Sequence, residues 1–290
     1  MPSQSDMGWA KRAGLLITSL LLLQAASGCI ALAPLGSSDH GIERGKIWFV
    51  GGAGGLGNIV GTFDVPRGLR AAGYKGAISV FAWQSVIGGT LRDQMDRPRN
   101  EAEARRLAAE IEQYMDKYPG RPVSLVALSA GTGITTWALE ALPKPCCVQT
   151  VVYLSSSMSC TYDLSAAVRR VSGQLHVFHS DRDPVLQLMM PLAGSVDRDA
   201  TSAGALGVEG ARFPTGATAQ ARELYEARIR NHAYKESYAQ YGYFGMHTDS
   251  TAASFIEHVV APLILRPSSA AGEVPTSAPA PESRPARQSR

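Results

Sequence analysis

The chain has 290 residues, of which 45% are hydrophobic and 18% charged, and its formal net charge at pH 7 is +3. That composition supports a buried core and excludes a chain that is disordered throughout. The basic residues are scattered and do not alternate with aromatics in a stripe, which speaks against a nucleic-acid partner.

Lys11 and Arg12 precede an apolar run from Ala13 to about Ala26, and Ser27-Gly28-Cys29 follow. A basic start, a short apolar stretch and small residues before a cleavage point predict a secretory signal peptide over 1–28. The run is short of the roughly 20 apolar residues that a spanning helix needs. The small residues leading into Cys29 resemble the bacterial lipoprotein box, although Ala26 stands where a leucine is more usual. That resemblance implies that Cys29 is lipidated and becomes the N-terminus of a membrane-anchored protein of the cell envelope. An ordinary secreted protein is the alternative. Residues 29–45, with His40, read as a linker, 46–265 as one domain, and the Pro/Ala/Ser/Arg-rich 266–290 as a disordered tail.

Within the domain, Lys46 to Val50 reads as a strand running into Gly51-Gly52-Ala53-Gly54-Gly55-Leu56-Gly57. A helix around Phe63 to Ala72 and a strand from Ala77 to Trp83 come next. The loop Gln84 to Arg99 is rich in Gly, Asp and Arg. Asn100 with Glu103 forms a capping-box signature, opening a helix with Leu107, Ile111, Tyr114, Met115 and Tyr118 on one face. Pro119-Gly120 ends it. Further strands are expected at Val123–Leu128, Val148–Leu154 and Leu175–His179, with helices at Ile134–Leu142 and Asp163–Val171. Ala219 to Tyr241 reads as a polar helical stretch holding His232, and an amphipathic helix with Phe255, Ile256, Val259, Val260 and Leu263 closes the domain. Apolar strands alternating with helices predict an α/β fold, a predominantly parallel sheet with helices on both faces.

The most informative segment is Val123-Ser124-Leu125-Val126-Ala127-Leu128-Ser129-Ala130-Gly131-Thr132-Gly133. It predicts a strand, a sharp turn carrying Ser129 at its tip, and a helix. The backbone N–H of Ala130 then points from the helix start at any negative oxygen formed beside Ser129. Ala127 and Gly131, two residues either side, are small enough for strand and helix to approach closely. A plainer reading makes Ser129 a helix N-cap.

This elbow resembles the Gly-x-Ser-x-Gly nucleophile elbow of the α/β-hydrolase family, with Ala127 replacing the first glycine. The resemblance implies a serine nucleophile at Ser129 and an acid in the turn after Leu175–His179. There Ser180-Asp181-Arg182-Asp183-Pro184-Val185 is similar to the family's Gly-x-x-Asp-x-Val, which makes Asp183 the acid and Asp181 the fallback; Asp163 is a more distant one. Either Asp also suits an Asx-turn. The family's base sits before the last helix, which points to His247 in the Gly-bounded loop Gly242-Tyr243-Phe244-Gly245-Met246-His247. The order Ser129, Asp183, His247 is the family's order. The glycine loop after the first strand would supply a second oxyanion donor at Ala53 N–H, with Gly54 as its neighbour if the register slips.

His176 and His179 are three apart on a strand and face opposite sides, so they cannot share a metal. His258 falls inside the last helix. No metal site and no organic cofactor are expected. Excluding Cys29, the cysteines are Cys146, Cys147 and Cys160. A disulfide from Cys160 to one of the adjacent pair and three free thiols are both open.

The implied function is a serine hydrolase acting on a small-molecule or lipid ester. The interval 186–243 is longer than one strand and loop require, so it is a candidate lid or a plain insertion. Two other readings stay open. One is a catalytically inactive envelope binding or scaffold lipoprotein of the same fold. The other is a dinucleotide-binding oxidoreductase, because Gly52-Ala53-Gly54-Gly55-Leu56-Gly57 matches Gly-x-Gly-x-x-Gly. Against the last, the next strand ends in Phe81-Ala82-Trp83-Gln84 without an acid for a ribose.

Overall fold

A computed structural model describes residues 36–85, 89–198 and 204–266. The expected signal peptide, the lipidation site Cys29 and the tail beyond Arg266 lie outside the described residues.

Six strands form one sheet: β1 (Lys46–Val50), β2 (Ala77–Phe81), β3 (Val123–Leu128), β4 (Thr150–Leu154), β5 (Leu175–His179) and β6 (Ile229–Ala233). Their order is β2-β1-β3-β4-β5-β6, and every neighbouring pair is parallel. Parallel strands need crossovers, and helices supply them. In chain order these are α1 (Gly54–Ile59), α2 (Asp64–Ala71), α3 (Gly89–Met95), α4 (Arg97–Lys117), α5 (Gly131–Ala141), α6 (Ser165–Val168), α7 (Pro184–Ala193), α8 (Leu206–Glu209) and α9 (Ala219–Arg228). A terminal helix, α10, joins Ala253–Phe255, a π-helical turn Ile256–Val260 and Ala261–Leu265.

Side chains alternate along each strand, so the sheet has two apolar faces and two cores. Trp48, Val50, Leu125, Ala127, Val151, Tyr153 and Val177 pack with α4, α5 and α6 on one face. Ile47, Phe49, Val126, Leu128, Val152, Leu154 and Phe178 pack with α2 and α10 on the other. The fold is therefore the expected α/β class, a parallel sheet covered on both sides.

Several local expectations need correction. The stretch 219–241 is not one helix. It divides into α9, the edge strand β6 with His232, and a 3-10 helix at Glu236–Tyr241. β6 reads Ile-Arg-Asn-His-Ala, a polar edge strand that lacks the apolar run marking the central ones. The long helix α4 begins a turn before Asn100. Asp96 caps it by accepting from Arg99 N–H at 3.3 Å, and Pro98 is tolerated in a first turn that needs no donor. Asn100 is instead buried. In α10 the buried set is Phe255, Ile256, Val260, Ala261 and Ile264. The π-helical turn inserts one residue and shifts the expected face by one position. Pro262 lacks the N–H that an α-helix would give the His258 carbonyl. Within the expected linker, Ser38 pairs antiparallel with Ile78 on the outer edge of β2, and Tyr114 O–H donates to the Ile42 carbonyl at 2.8 Å. Cys146, Cys147 and Cys160 are free thiols, so the disulfide does not form in this structure.

The histidines of β5 and β6 are structural. His176 Nδ1 and His232 Nε2 lie 3.0 Å apart, and the His232 ring stacks on Phe178. Burial pushes His176 down to about 4 and lowers His232 as well, aided by neighbouring cationic groups. A histidine whose folded pKa is depressed binds its proton more readily when unfolded, so stability rises with pH across that window. The melting temperature is expected to fall as pH drops from about 6.5, the unfolded value, toward about 4. His176→Phe is expected to flatten that decline, which thermal melts of both proteins across the range would check.

Candidate active site

β3 ends at Leu128, and α5 starts at Gly131 with two residues between. Ser129 bridges them with φ at +53°, a left-handed conformation that costs a non-glycine residue about 1–3 kcal/mol. Neighbouring contacts hold it there. Ser129 N–H donates to the Leu154 carbonyl at 2.9 Å, and its own carbonyl accepts from Thr132 N–H at 3.1 Å and Thr132 Oγ1 at 2.6 Å. Gly131 is required by space, since a Cβ there would meet the Gly51 and Val50 carbonyl oxygens at 2.3 and 2.4 Å. Ala127, by contrast, sits inside β3 opposite Val50, and its methyl is part of the buried core.

His247 lies 118 positions from Ser129 in sequence, and its Nε2 is 3.0 Å from Ser129 Oγ. Its Nδ1 is 2.7 Å from Asp183 Oδ2. An ionised carboxylate only accepts, so the proton between that pair belongs to Nδ1. Nε2 is then left bare and accepts from the Ser129 hydroxyl. Asp183 is fully buried. Its second oxygen, Oδ1, accepts from Leu186 N–H at 3.0 Å and so caps α7. The capping and orienting roles are thus divided between two oxygens of one side chain. Asp181 is exposed on the same turn and Asp163 accepts from Ser165 N–H at 2.9 Å, so neither contacts the histidine.

The His247 loop is fastened on both flanks. Gly242 and Gly245 take φ of +83° and +88°, and a Cβ on Gly245 would lie 2.6 Å from Ser180 Oγ. Phe244 N–H donates to Asp249 Oδ2 at 2.8 Å, and Ser250 Oγ donates to the His247 carbonyl at 3.3 Å. Burial pushes the Asp249 carboxyl up, opposed by its backbone hydrogen bonds.

Ala130 is the N-cap residue of α5, so its N–H has no acceptor within the helix. The glycine loop lies alongside: a Cβ on Gly52 would come 3.2 Å from Ser129 Cβ. Gly54 N–H is taken by Asp93 Oδ2 at 2.8 Å, which leaves Ala53 N–H as the candidate second donor. Asp93, fully buried on α3, also accepts from Ser85 N–H at 2.8 Å and pairs with Arg99 at 3.3 Å. Gln84 Nε2 donates to the Gly52 carbonyl at 2.7 Å. Sequence reasoning missed Asp93 and Gln84 as members of the site. The Gly/Asp/Arg-rich loop between β2 and α4 was the available signal.

The rim is apolar. Val185, Leu188 and Leu192 recur at i, i+3 and i+7 on α7 and are exposed, Leu192 by 75%. Ile59 at the end of α1, Leu91 and Met95 on α3, and Phe244 and Met246 beside His247 are exposed too. α7 contains no ionisable residue.

No protein-family model matches the chain, and no curated protein does. Among solved structures it is similar to Aspergillus fumigatus lipase B, with a TM-score of 0.47 and 13% identity over 79% of this chain and 54% of the lipase. It therefore spans about half of that lipase's length. It is also similar to a Trichoderma reesei cutinase, determined with a phosphonate inhibitor, with a TM-score of 0.39 and 14% identity over 87% of this chain and 90% of the cutinase. Esterase PE8 gives a TM-score of 0.36 and 13% identity over 68% of this chain and 87% of the esterase.

The two aspartates of the β5–α7 turn separate cleanly. Asp183→Asn is expected to fold but to lower turnover of an activated ester by about 10⁴-fold, because the imidazole tautomer is no longer fixed. Asp181→Asn is expected to react almost normally. Steady-state kinetics of both variants on p-nitrophenyl butyrate, beside their thermal melts, check this.

Proposed function

We propose that the chain is a serine hydrolase that cleaves an ester or related acyl bond. The observation that carries this reading is the continuous contact from Asp183 through His247 to Ser129, at 2.7 and 3.0 Å, on a strained elbow. Such a set suits acyl transfer to water. Ser129 Oγ attacks the carbonyl carbon while His247 Nε2 takes its proton, and Asp183 stabilises the resulting imidazolium. The N–H groups of Ala130 and Ala53 hold the tetrahedral oxyanion, each such donor contributing about 3 kcal/mol. Collapse expels the alcohol, which leaves with the proton from His247. Water then attacks the acyl-enzyme, His247 takes a proton from it, and the carboxylic acid departs as Ser129 is restored. This route calls for no metal and no organic cofactor.

The dinucleotide reading is disfavoured by Asp93. A phosphate at the start of α1 would need the Gly54 N–H that this carboxylate already holds, and would meet its negative charge. The scaffold reading is tested directly. Ser129 Oγ is expected to attack the phosphorus of a fluorophosphonate probe, expelling fluoride, so that the wild-type chain is labelled and Ser129→Ala is not. An unlabelled but folded wild type would favour the scaffold.

The exposed apolar side chains support an aliphatic acyl group as substrate. Exposed apolar surface on α3, α7 and the His247 loop favours contact with hydrocarbon, at about 25 cal/mol per Å² removed from water. Export and a lipid anchor at Cys29 belong to this reading and rest on the sequence. Leu188→Gln with Leu192→Gln is expected to slow hydrolysis of a p-nitrophenyl decanoate by about tenfold, the scale of one partly buried leucine. Hydrolysis of the acetate is expected to stay unchanged, and comparing the two chain lengths is the check.

A further inference from the structure

A peptide group is planar and trans, so the carbonyl of one residue and the N–H of the next point in opposite directions. The Gly52–Ala53 peptide is held by its carbonyl end: Gln84 Nε2 donates to Gly52 O at 2.7 Å. In the sheet, β2 and β3 flank β1 on opposite sides. Gln84 follows β2 and Ser129 follows β3. A Gly52 carbonyl drawn toward Gln84 therefore turns the Ala53 N–H toward Ser129.

We propose that Gln84 is a positioning residue for the oxyanion site, fixing the peptide plane that aims Ala53 N–H at the reacting oxygen. This rests on the hydrolase reading and goes beyond the three residues that carry out the chemistry. Without that tie the plane is less firmly held, because Gly51, Gly52 and Gly54 flank Ala53 and glycine adopts most backbone conformations. A flipped peptide would put the Gly52 carbonyl, an acceptor, where the oxyanion forms. Two further contacts brace the same loop. Trp83 Nε1 donates to Gly51 O at 2.8 Å, and Asp93 holds Gly54 N–H in the next peptide. Gln84 is held in turn by its own oxygen, which accepts from Trp83 N–H at 3.2 Å. The end of β2 thus grips the carbonyls of Gly51 and Gly52, and α3 grips the N–H beyond Ala53.

The test uses Gln84→Ala and Gln84→Glu in the full chain. The second keeps the length of the side chain but replaces its donor with an acceptor. Active-site titration with the fluorophosphonate normalises each preparation for folded, reactive enzyme. On p-nitrophenyl butyrate, kcat is expected to fall by about 10- to 100-fold, below the 10²–10³ lost when an oxyanion donor is removed outright. KM is expected to stay within about twofold, since a misaimed N–H weakens the transition state more than the ground state. Inhibition by butylboronic acid, whose adduct with Ser129 is tetrahedral, is expected to weaken by the same factor as kcat. Unchanged kcat and boronate affinity, or a loss confined to KM or to melting temperature, overturns the assignment of Gln84. A wild type that neither takes the probe on Ser129 nor turns over the ester overturns the hydrolase reading instead, and that result is visible before any variant is made.

Discussion

A carboxylate with no access to water must be surrounded by donors, and Asp183 meets that condition with one donor on each oxygen. Those donors come from different parts of the chain: the first turn of α7, and the loop before α10. The same side chain therefore fixes where α7 departs from the sheet and where the imidazole stands. Remove the helix cap, and the carboxylate loses the contact that sets its rotamer. Remove the imidazole, and a buried charge loses its partner. Helix placement and imidazole placement are one energetic unit here, joined through the two oxygens of Asp183.

The sheet converts this local constraint into a site. Because every strand runs the same way, the residues that follow β1, β2, β3 and β5 emerge at one end. Ser129, the Gly51–Gly57 loop, Gln84 and Asp183 are brought to that end by strand direction alone. The two core faces below hold the strands in register and leave little freedom to the turns above. The strained φ of Ser129 persists because Leu154 of the neighbouring strand and Thr132 of the next helical turn both bind its backbone.

Much of this was visible in the sequence because it rests on patterns with a period or a punctuation mark. The central strands are continuous apolar runs, which only a sheet buried on both faces demands. The small residues around Ser129 mark a close approach of strand and helix. Asp183 and His247 each sit where a strand or a loop breaks before a helix. What stayed hidden has no such pattern. β6 is a polar edge strand, and its membership of the sheet depends on hydrogen bonds to β5 that composition does not encode. The shifted face of α10 follows from a single missing N–H at Pro262. Gln84 and Asp93 act on backbone groups 32 and 39 positions away, and no local spacing announces a contact of that reach.

The pairing of Ser38 with β2 has a mechanical consequence for the proposed anchor. The segment runs antiparallel to β2, with Ser37 Oγ accepting from Val80 N–H and Ser38 paired further back at Ile78. Traced toward its beginning, the described segment reaches Gly36, beside Val80 and Thr62 near the end of the sheet that carries Ser129. Cys29 stands seven positions before Gly36 in the sequence, a span of at most about 25 Å. Were Cys29 lipidated as proposed, Gly36 would stand within that distance of the bilayer, with the β2 edge of the sheet's Ser129 end beside it. A hydrolase tethered in that way, if the proposed function holds, would meet membrane-borne esters more often than esters in bulk water.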